Sequence, residues 1–263
     1  YQATGAANID ASVLSDMESG EGFDRATLDM LGDQLLLLQE VYKTGKPVVL
    51  VLIQGRPLNL NWASDNVDAI VNAWYPGQEG GNAIADVLFG NYNPAGRLPI
   101  SIPKAVGQLP VYYNYNKPKQ HDYIEFEAQP LYSFGYGLSY STFAYSNLTL
   151  SLAESATDFI CDVRFDVKNM GDRDGDEVVQ LYVVDEVSSV VTPVKQLKGF
   201  ERRNLKSGAI ESFHFQLTKD DLKLWNKHKK WITERGKYKI LIGKSADNIL
   251  LETTFPLSKD FEI

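Results

Sequence analysis

Apolar positions near the start of the chain follow the period of a helix. From Arg25 onward they recur at steps of three and four residues, which predicts an amphipathic helix. Gly45 and Pro47 are expected to end it, because glycine suits the left-handed position after a helix and proline cannot continue one. The apolar series consists of Leu28, Leu31, Leu35, Leu38 and Val41.

Short apolar runs then alternate with further helical segments. Residues 48–53 are apolar on both faces, which is typical of a strand covered by helices on both sides. A short helix is expected near Ser64, a second strand at 69–74, and a second long helix at 79–89 that stops at Gly90. This alternation predicts a parallel α/β sheet with flanking helices.

Beyond residue 145 the apolar positions alternate in twos. The runs at 159–168, 213–217 and 238–242 each place apolar side chains on one face and polar side chains on the other. Short strands at this spacing predict an antiparallel β-sandwich of about 110–120 residues. A stretch rich in Pro, Tyr and Asn joins the halves and is expected to be packed, since flexible linkers are poor in aromatic residues. The predicted domains are an α/β domain at 1–115, an aromatic connector at 116–145 and a β-sandwich at 146–263.

Composition and charge narrow the function classes. The 263 residues are 44% hydrophobic and 23% charged, as in soluble globular proteins, and the net charge is -8. A negative chain repels phosphate backbones and anionic lipids, so neither a nucleic acid nor a membrane is expected as partner. The sequence lacks an initiator Met and a signal-peptide pattern at Tyr1. We therefore expect the chain to begin inside a longer protein.

The sequence lacks the residue patterns that are typical of several kinds of catalytic or binding site. The single cysteine, Cys161, permits no intrachain disulfide. It lies on the apolar face of the alternating run at 159–168, which predicts a core position. The three histidines lie far apart, so neither a metal nor a cofactor is expected. A nucleophile elbow and a phosphate-cradling loop are both missing. The basic run 227–230 is interpreted as a solvated turn.

The richest candidate for chemistry is the acidic loop at 16–25, before the first predicted helix. Four acids and one Arg fall within these ten residues, and Glu21 is flanked by Gly20 and Gly22. A carboxylate between glycines can approach a ligand closely, and neighbouring acids raise its pKa, which suits a general acid. The alternative is structural: Asp24 would cap the helix, and the other acids would favour its positive end.

Longer motifs carry a resemblance to a known family. The stretches 45–58 and 73–99, the latter containing WYPGQEGG, resemble the α/β sandwich domain of family 3 glycoside hydrolases, the β-glucosidase and β-xylosidase type. The stretch 130–140 is similar to the family's passage into a fibronectin type III-like domain, and 193–200 to a segment within that domain. The resemblance runs from about residue 16 to the end, with the motifs in the family's order.

The resemblance implies a retaining β-glycosidase with two catalytic carboxylates. It places the general acid/base on Glu21 and a leaving-group contact on Phe23, for which a hydrophobic staple to the helix is the alternative. The nucleophilic Asp would lie on an N-terminal (β/α)8 barrel of the parent protein, so the isolated chain is expected to be inactive. A terminal β-D-glycosyl residue, glucosyl first, is the implied substrate, and the periplasm or the exterior the implied location. The alternative function is a non-catalytic carbohydrate-binding or scaffolding module.

Other polar and aromatic residues have a structural interpretation that we favour. Arg56 and Arg97 are expected in ion pairs rather than on a sugar, and Trp74 in the core of a strand. Trp62 is open to either a sugar-stacking or a core role. The tyrosines of the connector region are expected to pack at a domain junction, with lining of the site entrance as the alternative. They are Tyr112, Tyr113, Tyr132 and Tyr136.

Overall fold

The computed structural model describes residues 25–116 and 122–263. It separates the chain into two units. The first extends to Ile84 and includes Ile102–Pro110, and the second combines Ala85–Ser101 with Val111–Ile263.

The first unit is an α/β layer around two parallel strands. The strands pair in register from Val49↔Ala69 to Leu52↔Asn72, which confirms the predicted parallel α/β arrangement. Leu38, Val48 and Ala63 form its buried core. The elements are α1 (Gln34–Tyr42), β1 (Val49–Leu52), α2 (Asn61–Asn66), β2 (Ala69–Asn72), α3 (Gly80–Leu88, which continues into the second unit) and a 3-10 helix at Val106–Gln108.

The first helix is shorter than the apolar period predicts. It begins at Gln34, so Leu28 and Leu31 lie in irregular chain before it, and Asp24 is nine residues too early to cap it. The physical reason is Gly32, whose φ of 55° is left-handed and interrupts any helical path from Arg25. Asp33 occupies the N-cap position.

The expected burial of β1 on both faces is also wrong for the described residues. Val49 is 46% exposed and Ile53, just beyond the strand, is 64% exposed. On α1, Leu36 and Leu37 are 54% and 65% exposed, and Leu38 alone in that helix is buried. Two strands and their helices give too few neighbours to cover this apolar surface.

The second unit is dominated by a two-sheet antiparallel β-sandwich, as predicted. One sheet has the order β11-β10-β5-β6 and the other β3-β4-β7, while a small third sheet has the order β12-β9-β8. The strands are β3 (Phe143–Glu154), β4 (Phe159–Asn169), β5 (Gly175–Asp185), β6 (Gln196–Leu205), β7 (Ile210–Thr218), β8 (Leu224–Trp225), β9 (Trp231–Thr233), β10 (Gly236–Gly243), β11 (Ile249–Leu257) and β12 (Phe261–Glu262), with α4 (Lys219–Leu222) between β7 and β8.

Alternating burial along β4 builds much of the sandwich core, and β10 adds buried residues of one parity. On β4 the residues from Phe159 to Val167 with odd numbers are all buried, and Cys161 is fully inaccessible. Tyr238, Ile240 and Ile242 repeat the pattern on β10. The period of two places these side chains between the two sheets because successive residues of a strand point to opposite faces.

Candidate functional site

The predicted acid/base loop lies at the edge of what the structure describes. Glu21 and Phe23 fall outside the described residues, and the described chain begins at Arg25, the last residue of that loop.

The segment after the loop is attached to the turn that follows β1. The backbone N–H of Asn59 donates to the carbonyl oxygen of Leu28 at 2.6 Å, and its side-chain amide donates to the carboxylate of Asp29 at 2.9 Å. The guanidinium of Arg25 donates to the carbonyl oxygen of Asp29. Asn59 lies in the connection between β1 and α2, so residues 25–29 are held against that connection.

The carboxyl ends of β1 and β2 carry polar side chains that contact each other. The side-chain amide of Gln54 donates to Oδ1 of Asn72 at 3.4 Å, and its backbone N–H donates to the carbonyl oxygen of Trp74. Gln54 is 7% exposed, and among the described residues its Oε1 has no hydrogen-bond partner. Gln54 and Asn59 did not stand out in the sequence, where only their position after an apolar run marks them.

Two aromatic residues shape this edge. Trp74 lies beyond the end of β2, half-buried with a φ of 51°, so its predicted place in a strand core is wrong. The chain turns there because β2 ends at Asn72, whose Oδ1 accepts from the backbone N–H of Trp74 at 3.4 Å. The ring of Tyr75 lies against Gly55, where a Cβ would approach it to 2.6 Å. A larger residue at position 55 would require the Tyr75 ring to move away.

Arg97 forms a buried ion pair in the second unit. Its Nη2 lies 2.8 Å from Oε2 of Glu177, and the two side chains are 9% and 1% exposed. The hydroxyl of Tyr145 donates to the other oxygen of Glu177 at 2.8 Å. The pKa of this phenol is raised, mainly by its burial and further by the negative charge of Glu177. The expectation of an ion pair for Arg97 is confirmed, and its burial removes it from contact with a sugar.

The other aromatic residues divide into packed and exposed groups. Trp62 is half-buried in the first unit, where it packs against the core and lies edge-on to Tyr42 at 5.5 Å. In the second unit Tyr132 stacks on Tyr136 at 5.1 Å, and burial raises the pKa of Tyr136. Tyr113 stacks on Phe134 at 4.3 Å, whereas Tyr112 is 66% exposed.

The remaining reactive groups that the sequence singled out are inert or solvent-exposed in the described parts of the chain. Burial raises the pKa of the Cys161 thiol to about 11, which leaves it protonated and inert, and residues 227–230 are exposed as predicted. Within 25–116 and 122–263 no three His, Cys, Asp or Glu side chains are grouped as metal ligands. Over the same ranges, every helix is too short or too polar to cross a membrane.

Comparison with sequence models of known families assigns this chain to one of them. The sequence model of the glycosyl hydrolase family 3 C-terminal domain matches residues 2–140, more than half of the chain, and that of the fibronectin type III-like domain matches 177–246. The chain belongs to glycosyl hydrolase family 3. The family 3 resemblance found at 45–58, 73–99 and 130–140 is thereby confirmed, and the sandwich of the second unit is of the fibronectin type III-like kind.

Relatives of this family 3 chain are named as glycosidases. It is 43% identical over 261 residues to a periplasmic beta-glucosidase of Salmonella typhimurium, covering 94% of this chain and 34% of that protein. It is 42% identical to a beta-xylosidase of Formosa agariphila, with 92% and 34% covered. The crystal structure of a beta-glucosidase from Listeria innocua in complex with glucose matches with a TM-score of 0.84 and 32% identity, over 93% of this chain and 35% of that one. The chain spans about a third of the length of these relatives.

Proposed function

We propose that this chain is the C-terminal part of a retaining, exo-acting β-glycosidase, β-glucosidase foremost, to which it contributes the general acid/base Glu21. The observation that carries the proposal is the family match over 2–140, which includes the glycine-flanked loop. Attachment of residues 25–29 to the connection between β1 and α2 supports it, because catalytic residues are often carried by loops that a rigid scaffold positions.

The proposed mechanism is double displacement. A nucleophilic Asp from the N-terminal barrel attacks the anomeric carbon while the Glu21 carboxylic acid protonates the departing glycosidic oxygen. The Glu21 carboxylate then takes a proton from the water that releases the sugar from the Asp ester. This chemistry needs the two carboxyl groups about 5–5.5 Å apart. Phe23, two residues after Glu21, would border the leaving group.

The longer protein is proposed to cover the apolar surface of the first unit. Leu36, Leu37, Val49 and Ile53 are between 46% and 65% exposed, and soluble proteins seldom leave so many large apolar side chains open on one small unit. Additional chain, including the barrel that holds the nucleophile, would bury them.

Charged substitutions on α1 test this burial. Leu36→Lys combined with Leu37→Lys is expected to reduce self-association of the isolated chain in sedimentation velocity, because apolar surface becomes charged. In the longer protein the same pair is expected to lower the unfolding temperature, since both leucines would be buried. Val187→Lys, at a residue 79% exposed in the second unit, is the control and should change neither. Equal tolerance of the double change in both proteins would contradict the proposed cover.

Activity of the two forms tests the function itself. The longer protein is expected to hydrolyse 4-nitrophenyl β-D-glucopyranoside with retention of anomeric configuration, followed by NMR of the first-formed sugar. The isolated chain should show no hydrolysis, because the attacking carboxylate lies elsewhere. Parallel assays with the β-D-xylopyranoside distinguish the two substrate classes named among the relatives. An inverted product, or full activity of the isolated chain, would overturn the proposal.

The location of the enzyme is proposed to be periplasmic or extracellular. Support comes from the relative named as a periplasmic beta-glucosidase, which is 43% identical. Fractionation of cells that express the longer protein, with enzyme activity as the readout, tests this location.

A further inference from the structure

The second unit contains a cavity of about 100 Å³ that shares no residue with the acid/base loop. Five separate parts of the chain contribute to its lining, which consists of Ser101, Val111, Tyr112, Tyr113, Tyr115, Ala128, Gln129, Pro130, Ser133, Lys195 and Asp247. About half of this lining is aromatic or aliphatic and the rest is polar.

Hydrogen bonds and stacking hold the walls of the cavity in place. The backbone N–H of Val194 donates to the carbonyl oxygen of Tyr115 at 2.9 Å, which ties the 111–115 wall to the segment that carries Lys195. The backbone N–H of Ala246 donates to the carbonyl oxygen of Phe134 at 2.9 Å, and Tyr113 stacks on Phe134. The cavity is therefore preformed, and a ligand would not have to order its walls.

One wall presents a donor beside an acceptor. The Lys195 ammonium donates to the carbonyl oxygen of Ala246 and lies 3.6 Å from Oδ1 of Asp247, while Ser133 donates to Oδ2 of Asp247. An ammonium has three N–H donors and a carboxylate about four acceptor sites, so both groups keep capacity for a ligand after these contacts with described residues. Their charges compensate each other, which favours a neutral ligand rich in hydroxyl groups, since a hydroxyl both donates and accepts.

The other wall and the rim are aromatic. Tyr112 is 66% exposed at the mouth, Tyr115 is half-buried, and Val111 and Pro130 add apolar surface. The C–H face of a sugar ring packs on such rings while its hydroxyls face polar groups. A volume of 100 Å³ corresponds to about three waters, so the cavity encloses the hydroxyl-bearing edge of one sugar unit, and the rest of the ring lies outside it beside Tyr112.

We propose that this cavity is a second carbohydrate-binding site, which takes the terminal unit of a neutral glycan. Lys195, Asp247 and Ser133 hydrogen-bond its hydroxyl groups, and the exposed ring of Tyr112 stacks on its C–H face. The site lies wholly within the second unit, so binding there does not depend on the barrel or on Glu21.

Titration of the full 263-residue chain with D-glucose, D-xylose and cellobiose tests the site, with binding followed by amide chemical shifts. We expect saturable binding in the millimolar range, with the largest shifts around Ser133 and Lys195. Tyr112→Ala should weaken it by about fivefold or more, because one aromatic contact is lost and the exposed side chain is not needed for folding. Asp247→Asn should also weaken it.

Two matched variants distinguish binding in this cavity from binding elsewhere on the chain. Phe200→Ala removes an aromatic ring that is 69% exposed on β6 and should leave the affinity unchanged. Glu21→Gln should also leave it unchanged, so failure of the catalytic assignment and failure of this site give different results. Absence of saturable binding, unaltered affinity in Tyr112→Ala, or loss of binding in Glu21→Gln would each overturn the proposal.

Discussion

Glu21→Ala in the longer protein is expected to lower kcat/KM for glycosides with poor leaving groups by about 10²–10⁴-fold, the usual contribution of general acid catalysis. Aryl glycosides with acidic phenols should lose much less in the first step, because their leaving groups depart without protonation. Release of the sugar from the Asp ester would then become slow, since no base activates water. Azide, which needs no base, should restore turnover and yield a glycosyl azide.

A neighbouring acid provides the matched control for this result. Glu18→Ala removes a carboxyl group three residues earlier in the same loop and should leave the leaving-group dependence of kcat/KM unchanged. The pH–rate profile gives a second readout, because its basic limb reports the general acid and should disappear only in the Glu21 variant. Equal rates for Glu21→Ala and the unmodified enzyme with poor leaving groups would remove Glu21 from the mechanism.

Glu177→Ala is expected to destabilise the second unit by about 3–5 kcal/mol, the cost of leaving one buried charge without its partner. The change leaves the guanidinium of Arg97, which is 9% exposed, without its carboxylate partner, and it removes the acceptor of the Tyr145 hydroxyl. Denaturant unfolding of the isolated chain, followed by Trp fluorescence and circular dichroism, measures the loss.

Two variants separate the buried charge from simple truncation. Lys206→Ala breaks an exposed ion pair with Asp174, whose two side chains are 76% and 45% exposed, and should leave stability unchanged. Arg97→Met combined with Glu177→Leu removes both charges and should recover much of the loss, because an apolar pair of similar volume often replaces a buried ion pair without penalty. A loss for Glu177→Ala no greater than that for Lys206→Ala would show that the pair is not a structural one.

The β-sandwich was predictable from the sequence because alternation of apolar and polar residues decides which face of each strand is buried. Along β4, every second residue from Phe159 to Val167 is apolar in the sequence and buried in the structure. A strand has two faces and a sandwich buries one of them, so local pattern and tertiary environment coincide. The acid/base candidate was likewise open to sequence reading, because the loop around Glu21 and the long family motifs are contiguous.

Other features depend on residues that are distant in sequence. The helical spacing of Leu28 and Leu31 suggested an earlier start for α1, but Gly32 turns the chain, and the carbonyl oxygen of Leu28 pairs with Asn59 instead. The choice between sugar contact and ion pair for Arg97 was settled by a glutamate 80 residues away.

The sequence alone determined the helical spacing of the first half, the strand alternation of the second half, the family and the candidate proton donor. Each of these depends on contiguous residues with a fixed period or motif. Tertiary structure alone decided which charges are buried together, which leucines of α1 stay exposed, and that Tyr112, Ser133, Lys195 and Asp247 surround one cavity. The physical reason is that burial and pairing are properties of neighbours in space, and no local pattern of hydrophobicity specifies which distant segment becomes a neighbour.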